Sequence, residues 1–133
     1  MVVFDSGALT KIASERDPTA RALWRRLTEL GWAACIPAVT LAESLTGKLG
    51  ADAAVNRLIK QVGRTSACDE RLARLAAKLR GGVSRGGRDL PSGIDAIVAA
   101  IALEERPAIV LTTDAPDIAS LLSASAGVAV ISV

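Results

Sequence analysis

Residues 108–114 read AIVLTTD, an unbroken apolar run that ends in two hydroxyl side chains and a carboxylate. Ala108–Leu111 is the clearest strand of the sequence, and its lack of polar residues is typical of a strand buried on both faces. Similar runs occur at Val2–Phe4 and Trp32–Ile36, and another closes the sequence at Val128–Val133. Such strands favour a parallel sheet covered by helices on both sides.

Segments with helical periodicity lie between these strands. They predict helices at 8–14, 17–30, 39–47, 51–62, 69–81, 92–106 and 114–122, and a short strand is expected at 65–68. Because 39–47 is apolar on most sides, it is expected to be a buried helix. The alternation of strands and helices, with neither repeat nor linker, predicts one α/β domain over residues 1–133. Its mostly parallel sheet should have four to five strands.

Composition excludes several kinds of chemistry. The 133 residues contain no histidine, which excludes a Ser-His-Asp triad, a Cys-His dyad and any metal site with histidine ligands. Only three residues are aromatic, so a platform for stacking bases is not expected. Cys35 and Cys68 are predicted to be reduced core residues. With neither a signal peptide nor an apolar run long enough to cross a bilayer, we expect a soluble, cytoplasmic protein without membrane contact.

Charge is unevenly distributed along the chain. The net charge is only +2, yet residues 57–88 hold nine basic and two acidic residues, and the remainder holds seven basic and twelve acidic residues. Such a segment is either a set of solvated helix faces or a surface that binds phosphates. The candidate RNA-binding residues within it are Arg71, Arg74 and Lys78, which form one helical stripe, and Arg85 and Arg88 in the glycine-rich stretch that follows.

Four carboxylates stand where chemistry is expected. Asp5 and Asp114 follow predicted strands, and ligands of open α/β sheets bind at the carboxyl ends of the strands. Glu43 and Asp95 lie in otherwise apolar helices, where an isolated charge is costly to bury. If the four side chains converge, they repel one another, and a divalent cation such as Mg²⁺ would reverse the sign of that interaction.

Each of these acids also has a purely structural interpretation. Asp5 and Asp114 fit the N-caps of the helices that follow them. Asp95 fits a capping box with Ser92. Glu43 fits a side chain that faces solvent. Spacing along the chain does not by itself show that the four carboxylates converge.

Four stretches, taken together and in this order, resemble the four motifs of PIN-domain ribonucleases. They are VFDSGAL at 3–9, PAVTLAE at 37–43, IDAIVAA at 94–100 and LTTDAPD at 111–117. The resemblance extends over nearly the whole chain, and within the family it is greatest to VapC-type toxins of bacterial toxin–antitoxin pairs. It implies a three-layer PIN-like fold.

The resemblance also implies an activity and a site. Asp5, Glu43, Asp95 and Asp114 would form the catalytic quartet, with Asp5, Asp95 and Asp114 holding Mg²⁺ or Mn²⁺. Three auxiliary residues would be Asp117, Thr112 and Thr113, and whether Asp114 or Asp117 is the fourth acid stays open. The implied protein is a metal-dependent endoribonuclease, a homodimer that hydrolyses RNA and is held inactive by a cognate VapB-type antitoxin.

The sequence is compatible with two other functions. The first is a catalytically silent PIN-like module that only binds RNA or a partner. The second is a phosphotransfer domain with an acidic pocket. A receiver domain would need an Asp after a central strand and a lysine late in the chain, yet no lysine follows Lys78. A haloacid-dehalogenase-like domain would need the motif Asp-x-Asp, where this chain has Asp5-Ser6-Gly7.

Overall fold

The computed structural model describes residues 1–14, 16–83, 89–123 and 127–133. Its strands are β1 (Val2–Phe4), β2 (Ala34–Pro37), β3 (Thr65–Ser66), β4 (Ala108–Thr112) and β5 (Val128–Ser132). Its helices are α1 (Ser6–Ala13), α2 (Pro18–Glu29), α3 (Ala38–Ser44), α4 (Leu49–Val62), α5 (Glu70–Gly82), α6 (Gly93–Glu104) and α7 (Ala115–Leu122). The order of these elements along the chain is the predicted one. Within the described residues, no helix combines the length and the apolar character needed to cross a membrane.

The five strands form one parallel sheet in the order β3-β2-β1-β4-β5. The central strand is β1, where Val3 lies between Cys35 of β2 and Val110 of β4. On one side of β1 lie β2 and then β3, and on the other side lie β4 and then β5, so the strand order reverses at β1. In open α/β sheets, ligands bind outside the carboxyl ends of the strands at such a reversal. The first residue after β1 is Asp5.

Helices cover both faces of the sheet, which confirms the predicted layers. Val3 points into a core formed with α5, α6 and α7, whereas Val2 and Phe4 point into a core formed with α1, α2 and α4. Along α6, the residues from Val98 to Ala102 are almost completely buried, and three of these five are alanines. Small side chains allow a helix to pack closely on a sheet, which explains why an Ala-rich sequence with three aromatic residues forms a dense core.

Several boundaries and one environment differ from the predictions. Helix α1 begins at Ser6 rather than residue 8, and β4 continues through Thr112. The prediction of a buried helix at 39–47 is wrong, because in α3 only Thr40 is buried and Glu43 is exposed. This helix follows the carboxyl end of β2 and packs mainly against α1, so it lies beside the edge of the sheet and its apolar residues are only partly covered.

The two cysteines are free, and they differ in environment. Cys35 is fully buried in β2, and burial raises the pKa of its thiol to about 11. A thiol with that pKa is almost entirely protonated at neutral pH and is a poor nucleophile. Cys68 is only half-buried, so the prediction of a core residue is confirmed for Cys35 and holds only in part for Cys68.

Candidate metal centre

Asp5 lies at the centre of the carboxyl edge of the sheet. It is only 5% exposed, and its backbone N–H donates to the carbonyl of Leu111 in β4. One carboxylate oxygen, Oδ1, accepts from the backbone N–H of Ser6 at 2.7 Å, which confirms Asp5 as the N-cap of α1. The other, Oδ2, accepts from the hydroxyl of Thr112 at 2.8 Å. Asp5 is therefore fixed by β1, β4 and α1 together.

The pKa of Asp5 is influenced by burial, by its hydrogen bonds and by two other acids. Burial is the largest influence and raises the pKa above its ordinary value, while the hydrogen bonds from Thr112 and Ser6 lower it. The negative charges of Asp95 and Glu43 raise it further. Two acids from separate helices, α6 and α3, are thus near enough to repel the Asp5 carboxylate. A buried carboxylate that faces two like charges is an electrostatic environment that a cation would stabilise.

Thr112 connects Asp5 to Asp114. Its fully buried hydroxyl donates to Asp5 and accepts from the backbone N–H of Asp114 at 2.9 Å. Asp114 is exposed and occupies the N-cap position of α7, but its side chain makes no capping hydrogen bond. The structural interpretation of Asp114 as a side-chain cap is therefore wrong. Asp117 lies in the first turn of α7 and is half-buried.

Asp95 has a structural role as well as a charge near Asp5. Its Oδ2 accepts from the backbone N–H of Ser92 at 2.9 Å, and its own N–H donates to the Ser92 hydroxyl at 3.0 Å, so the predicted capping box is confirmed. The box engages one carboxylate oxygen, and a carboxylate has two. Asp95 can therefore cap α6 and also contribute negative charge to the site.

Glu43 borders an open cavity of about 430 Å³ that begins at the first turn of α1. Helix α3 packs against α1, and the hydroxyl of Ser44 donates to the carbonyl of Ser6 at 3.4 Å. Glu43 is exposed to solvent, as its structural interpretation requires, yet its charge also influences Asp5. The position of Glu43 allows its carboxylate to reach a water molecule or a ligand that enters through the cavity.

Gly7 was not among the candidate residues, yet it shapes the site. A Cβ added at Gly7 would overlap the hydroxyl of Thr113 and lie 3.1 Å from the Thr113 Cβ. The first turn of α1 and the turn between β4 and α7 therefore approach each other so closely that a side chain at position 7 would force Thr113 to move. The only sequence signal for this contact was a glycine two residues after the first acid.

Replacing Gly7 by alanine is expected to destabilise the protein by about 1–3 kcal/mol, because the Thr113 side chain must move to accommodate the added methyl group. Urea unfolding monitored by circular dichroism measures this change. The matched control is Gly50→Ala in the first turn of α4, where an added Cβ meets nothing within 4 Å. That change should be neutral or stabilise the protein by up to about 1 kcal/mol. Equal midpoints for the two variants would contradict the close contact at Gly7.

Asp52 is a buried acid that sequence reasoning also missed. It is 5% exposed, and its Oδ1 accepts from both the backbone N–H and the hydroxyl of Thr46, at 2.9 and 2.8 Å. These hydrogen bonds hold the pKa of Asp52 below its ordinary value. Asp52 lies in the first turn of α4 and fixes the connection from α3, so its role is structural. In the sequence Asp52 stands between two alanines of an amphipathic helix, where an acid is expected on the solvent side, so no pattern indicated its burial.

The donor chemistry of the site fits a hard divalent cation. Asp5, Asp95, Asp114 and Glu43 supply only oxygen ligands, which Mg²⁺ and Mn²⁺ prefer. The repulsion felt by Asp5 is the interaction that such an ion would reverse. Among the described residues, however, no group of three acids or cysteines is arranged to hold a metal ion. The four carboxylates would therefore have to move closer together to share a cation.

The basic stripe on α5 begins far from these acids. Arg71, Arg74 and Lys78 are exposed, as predicted, but Arg71 pairs with Glu104 and Arg74 pairs with Glu70. Glu104 ends α6, whereas Asp95 lies in its first turn, so nine residues, or roughly 13 Å of helix, separate them. Arg71 is consequently at the end of α6 that faces away from the site. Arg85 and Arg88 lie outside the described residues, and an RNA-binding role for the basic segment stays a prediction.

Comparison with known proteins identifies the fold. No protein-family profile and no curated protein matches the sequence. Solved structures do match. A chain of VapBC2 from Rickettsia felis, bound to a DNA fragment from its promoter, aligns with 100% of this chain and 99% of its own length, at 11% identity and a TM-score of 0.74. FitAcB from Neisseria gonorrhoeae aligns over 98% and 96%, at 20% identity and a TM-score of 0.67. DNA-bound VapBC from Salmonella typhimurium aligns over 98% and 96%, at 16% identity and a TM-score of 0.64. The chain shares the α/β fold of these proteins over nearly its whole length.

Proposed function

We propose that this chain is a PIN-type endoribonuclease toxin that hydrolyses RNA with Mg²⁺ or Mn²⁺. The observation that carries the proposal is the environment of Asp5. This carboxylate is buried where the strand order reverses, accepts two hydrogen bonds, and faces the charges of Asp95 and Glu43. The fold shared with the VapBC and FitAcB chains supports the same conclusion, and so do the four motifs that resemble those of PIN-domain ribonucleases.

The residues divide into those that would hold the ion and those that act beside it. Asp5, Asp95 and Asp114 would hold the cation, which when bound supplies a water of lowered pKa and neutralises charge on the phosphate. Thr112 holds Asp5 through its hydroxyl and positions the backbone of Asp114, which favours Asp114 over Asp117 as the fourth acid. Thr113 packs against Gly7 and keeps the β4–α7 turn against α1.

Glu43 is the residue best placed to handle a proton. It is exposed at the edge of the cavity, so its carboxylate can accept a proton from the attacking water. Asp95 is less suited to this role, because its Oδ2 already accepts a hydrogen bond from Ser92. A general base must reach the water that it deprotonates, and an exposed side chain whose charge acts on the buried Asp5 meets that requirement.

A VapB-type antitoxin and a second copy of the chain are the proposed protein partners. The structural relatives are VapBC and FitAcB complexes. Co-expression with the product of a small neighbouring gene, followed by gel filtration, tests the first partner, and the elution volume of the chain alone tests the second.

The two other functions make different demands on the structure. A receiver-type phosphotransfer domain has the strand order 2-1-3-4-5, whereas this sheet has the order 3-2-1-4-5. A silent PIN-like module would bind RNA or a partner without a need for divalent ions. The deciding experiment is incubation of the purified chain with total RNA, in Mg²⁺ or Mn²⁺ and in parallel with a chelator. We expect discrete cleavage products with metal and intact RNA with chelator, and intact RNA in both reactions would refute a nuclease.

A further inference from the structure

The cavity beside Glu43 has a distribution of charge that the proposed activity does not by itself explain. An acid lies at one end, and two basic residues and three hydroxyl side chains complete most of its wall. These six lining residues are Ser6, Thr10, Lys11, Ser14, Arg16 and Glu43. The cavity therefore joins the acidic site to a polar, basic surface along α1.

The spacing of these residues places them along one side of α1. Ser6, Thr10 and Ser14 recur every four residues, and Lys11, which follows Thr10 in the sequence, lines the same cavity. Because α1 begins directly after Asp5, Lys11 is six residues, or roughly 9 Å of helix, from the buried acid. A ligand that extends from the acids along the exposed face of α1 would pass over all three hydroxyl groups.

Lys11 is held in position by a second helix. Its Nζ lies 3.1 Å from Oδ2 of Asp17, and Asp17 caps α2 by accepting from the backbone N–H groups of Thr19 and Ala20 through Oδ1. The Lys11 side chain remains 38% exposed, so its ammonium group is positioned and still accessible to a second anion. Arg16 is exposed on the connection between α1 and α2.

The basic residues of α5 have a different setting. Arg71 and Arg74 each pair with a glutamate, as Lys11 does with Asp17, so the two sets differ in location rather than in pairing. Arg71 lies near the far end of α6, and neither it, Arg74 nor Lys78 lines the cavity beside Glu43. Lys11 and Arg16, in contrast, line the same cavity as Glu43. A polyanion that enters an acidic site needs cations beside it, because the free carboxylates repel its phosphates.

We propose that the cavity along α1 binds the backbone of the RNA strand on one side of the scissile phosphate, with Lys11 and Arg16 each contacting a phosphate. Thr10 and Ser14 already donate their hydroxyl protons to backbone carbonyls, so their oxygens can act only as acceptors, and Ser14 Oγ already accepts from the backbone N–H of Arg16 at 3.4 Å. A ribose 2′-hydroxyl could donate to either oxygen. This assignment rests on the proposed function, since it takes the acids as the place of cleavage. It moves the main phosphate contacts from the predicted α5 stripe to α1.

The test measures how RNA affinity depends on salt. Binding of a fluorescently labelled single-stranded oligoribonucleotide is followed by anisotropy, in chelator, over a range of salt concentrations. Replacing both Lys11 and Arg16 by glutamine should lower the slope of log K against log salt by about 1.4, since each phosphate contact on a single strand contributes about 0.7. The matched control replaces Arg74 and Lys78 by glutamine, which removes the same charge from α5 and should leave the slope nearly unchanged.

The outcomes separate this inference from the proposed function. An unchanged slope for the α1 variant, or a larger loss for the α5 variant, overturns the assignment of the cavity. If the wild type still cleaves RNA in Mg²⁺, the nuclease proposal survives that result. Because Lys11→Gln also removes the ion pair with Asp17, Arg16→Gln alone is measured as well. It should lower the slope by about 0.7, and no change in that variant counts against the proposal even if the double variant is unstable.

Discussion

Glu43→Gln is expected to reduce RNA cleavage by roughly 10²–10⁴-fold, the usual contribution of a general base. Glutamine keeps the shape of the side chain but cannot accept a proton at neutral pH. Because Glu43 is exposed on a surface helix, the free energy of unfolding should change by less than about 0.5 kcal/mol. The measurements are initial cleavage rates in saturating Mg²⁺ and urea unfolding curves of the same preparations.

A matched control shows that this loss depends on position. Glu29→Gln makes the same chemical change in the last turn of α2, where Glu29 pairs with Arg26 on the surface. This variant should cleave RNA at the rate of the wild type. Full activity in Glu43→Gln would remove Glu43 from the catalytic residues and return it to its interpretation as a solvated side chain.

Asp95→Asn should separate the electrostatic role of this residue from its structural role. Asparagine can still accept from the N–H of Ser92, so the capping box is kept, while the charge that repels Asp5 is lost. In chelator, the variant should therefore melt at or above the temperature of the wild type. In metal, cleavage should fall by at least about a hundredfold, because even the loss of an outer partner of a metal site costs 10–100-fold.

Ser92→Ala is the complementary variant. It removes the hydroxyl that accepts from the N–H of Asp95 but leaves the carboxylate of Asp95 in place. We expect a loss of stability of about 1 kcal/mol, with cleavage largely retained. If Asp95→Asn instead behaves like Ser92→Ala, melting lower in chelator and still cleaving RNA, then Asp95 is only a helix cap.

The layers of the fold could be predicted from the sequence because buried parallel strands leave a simple signal. Val2–Phe4 and Ala108–Leu111 contain no polar residue, and amphipathic helices with clear caps at Asp17, Asp69 and Ser92 separate the strands. The apolar strands and the capped helices each indicated the same α/β architecture. Helix α3 could not be placed in this way, because an apolar composition does not show whether a helix lies on the sheet or beyond its edge.

The candidate site could be predicted only in part, for a physical reason. The position of Asp5 follows from the topology, since the residue after a central strand must lie at the carboxyl edge. The shared hydroxyl of Thr112 and the contact between Gly7 and Thr113 join residues more than a hundred positions apart. No local pattern encodes such pairs. The basic segment shows the converse limit. Its charge and the i,i+4 pair of Glu70 with Arg74 were visible in the sequence, whereas the pairing of Arg71 with Glu104 on another helix was not.

The central claim is that these carboxylates form a cation site, and the thermal midpoint of the wild type with and without metal tests it most directly. Unfolding is recorded in chelator and in Mg²⁺ or Mn²⁺ at increasing concentration, beside Asp5→Asn, which keeps the size of the side chain and removes the buried charge. We expect the wild type to gain about 2.7 kcal/mol at a hundredfold excess of metal over Kd, and Asp5→Asn to gain far less. A wild-type midpoint that neither ion raises, or an equal rise in Asp5→Asn, would contradict the account.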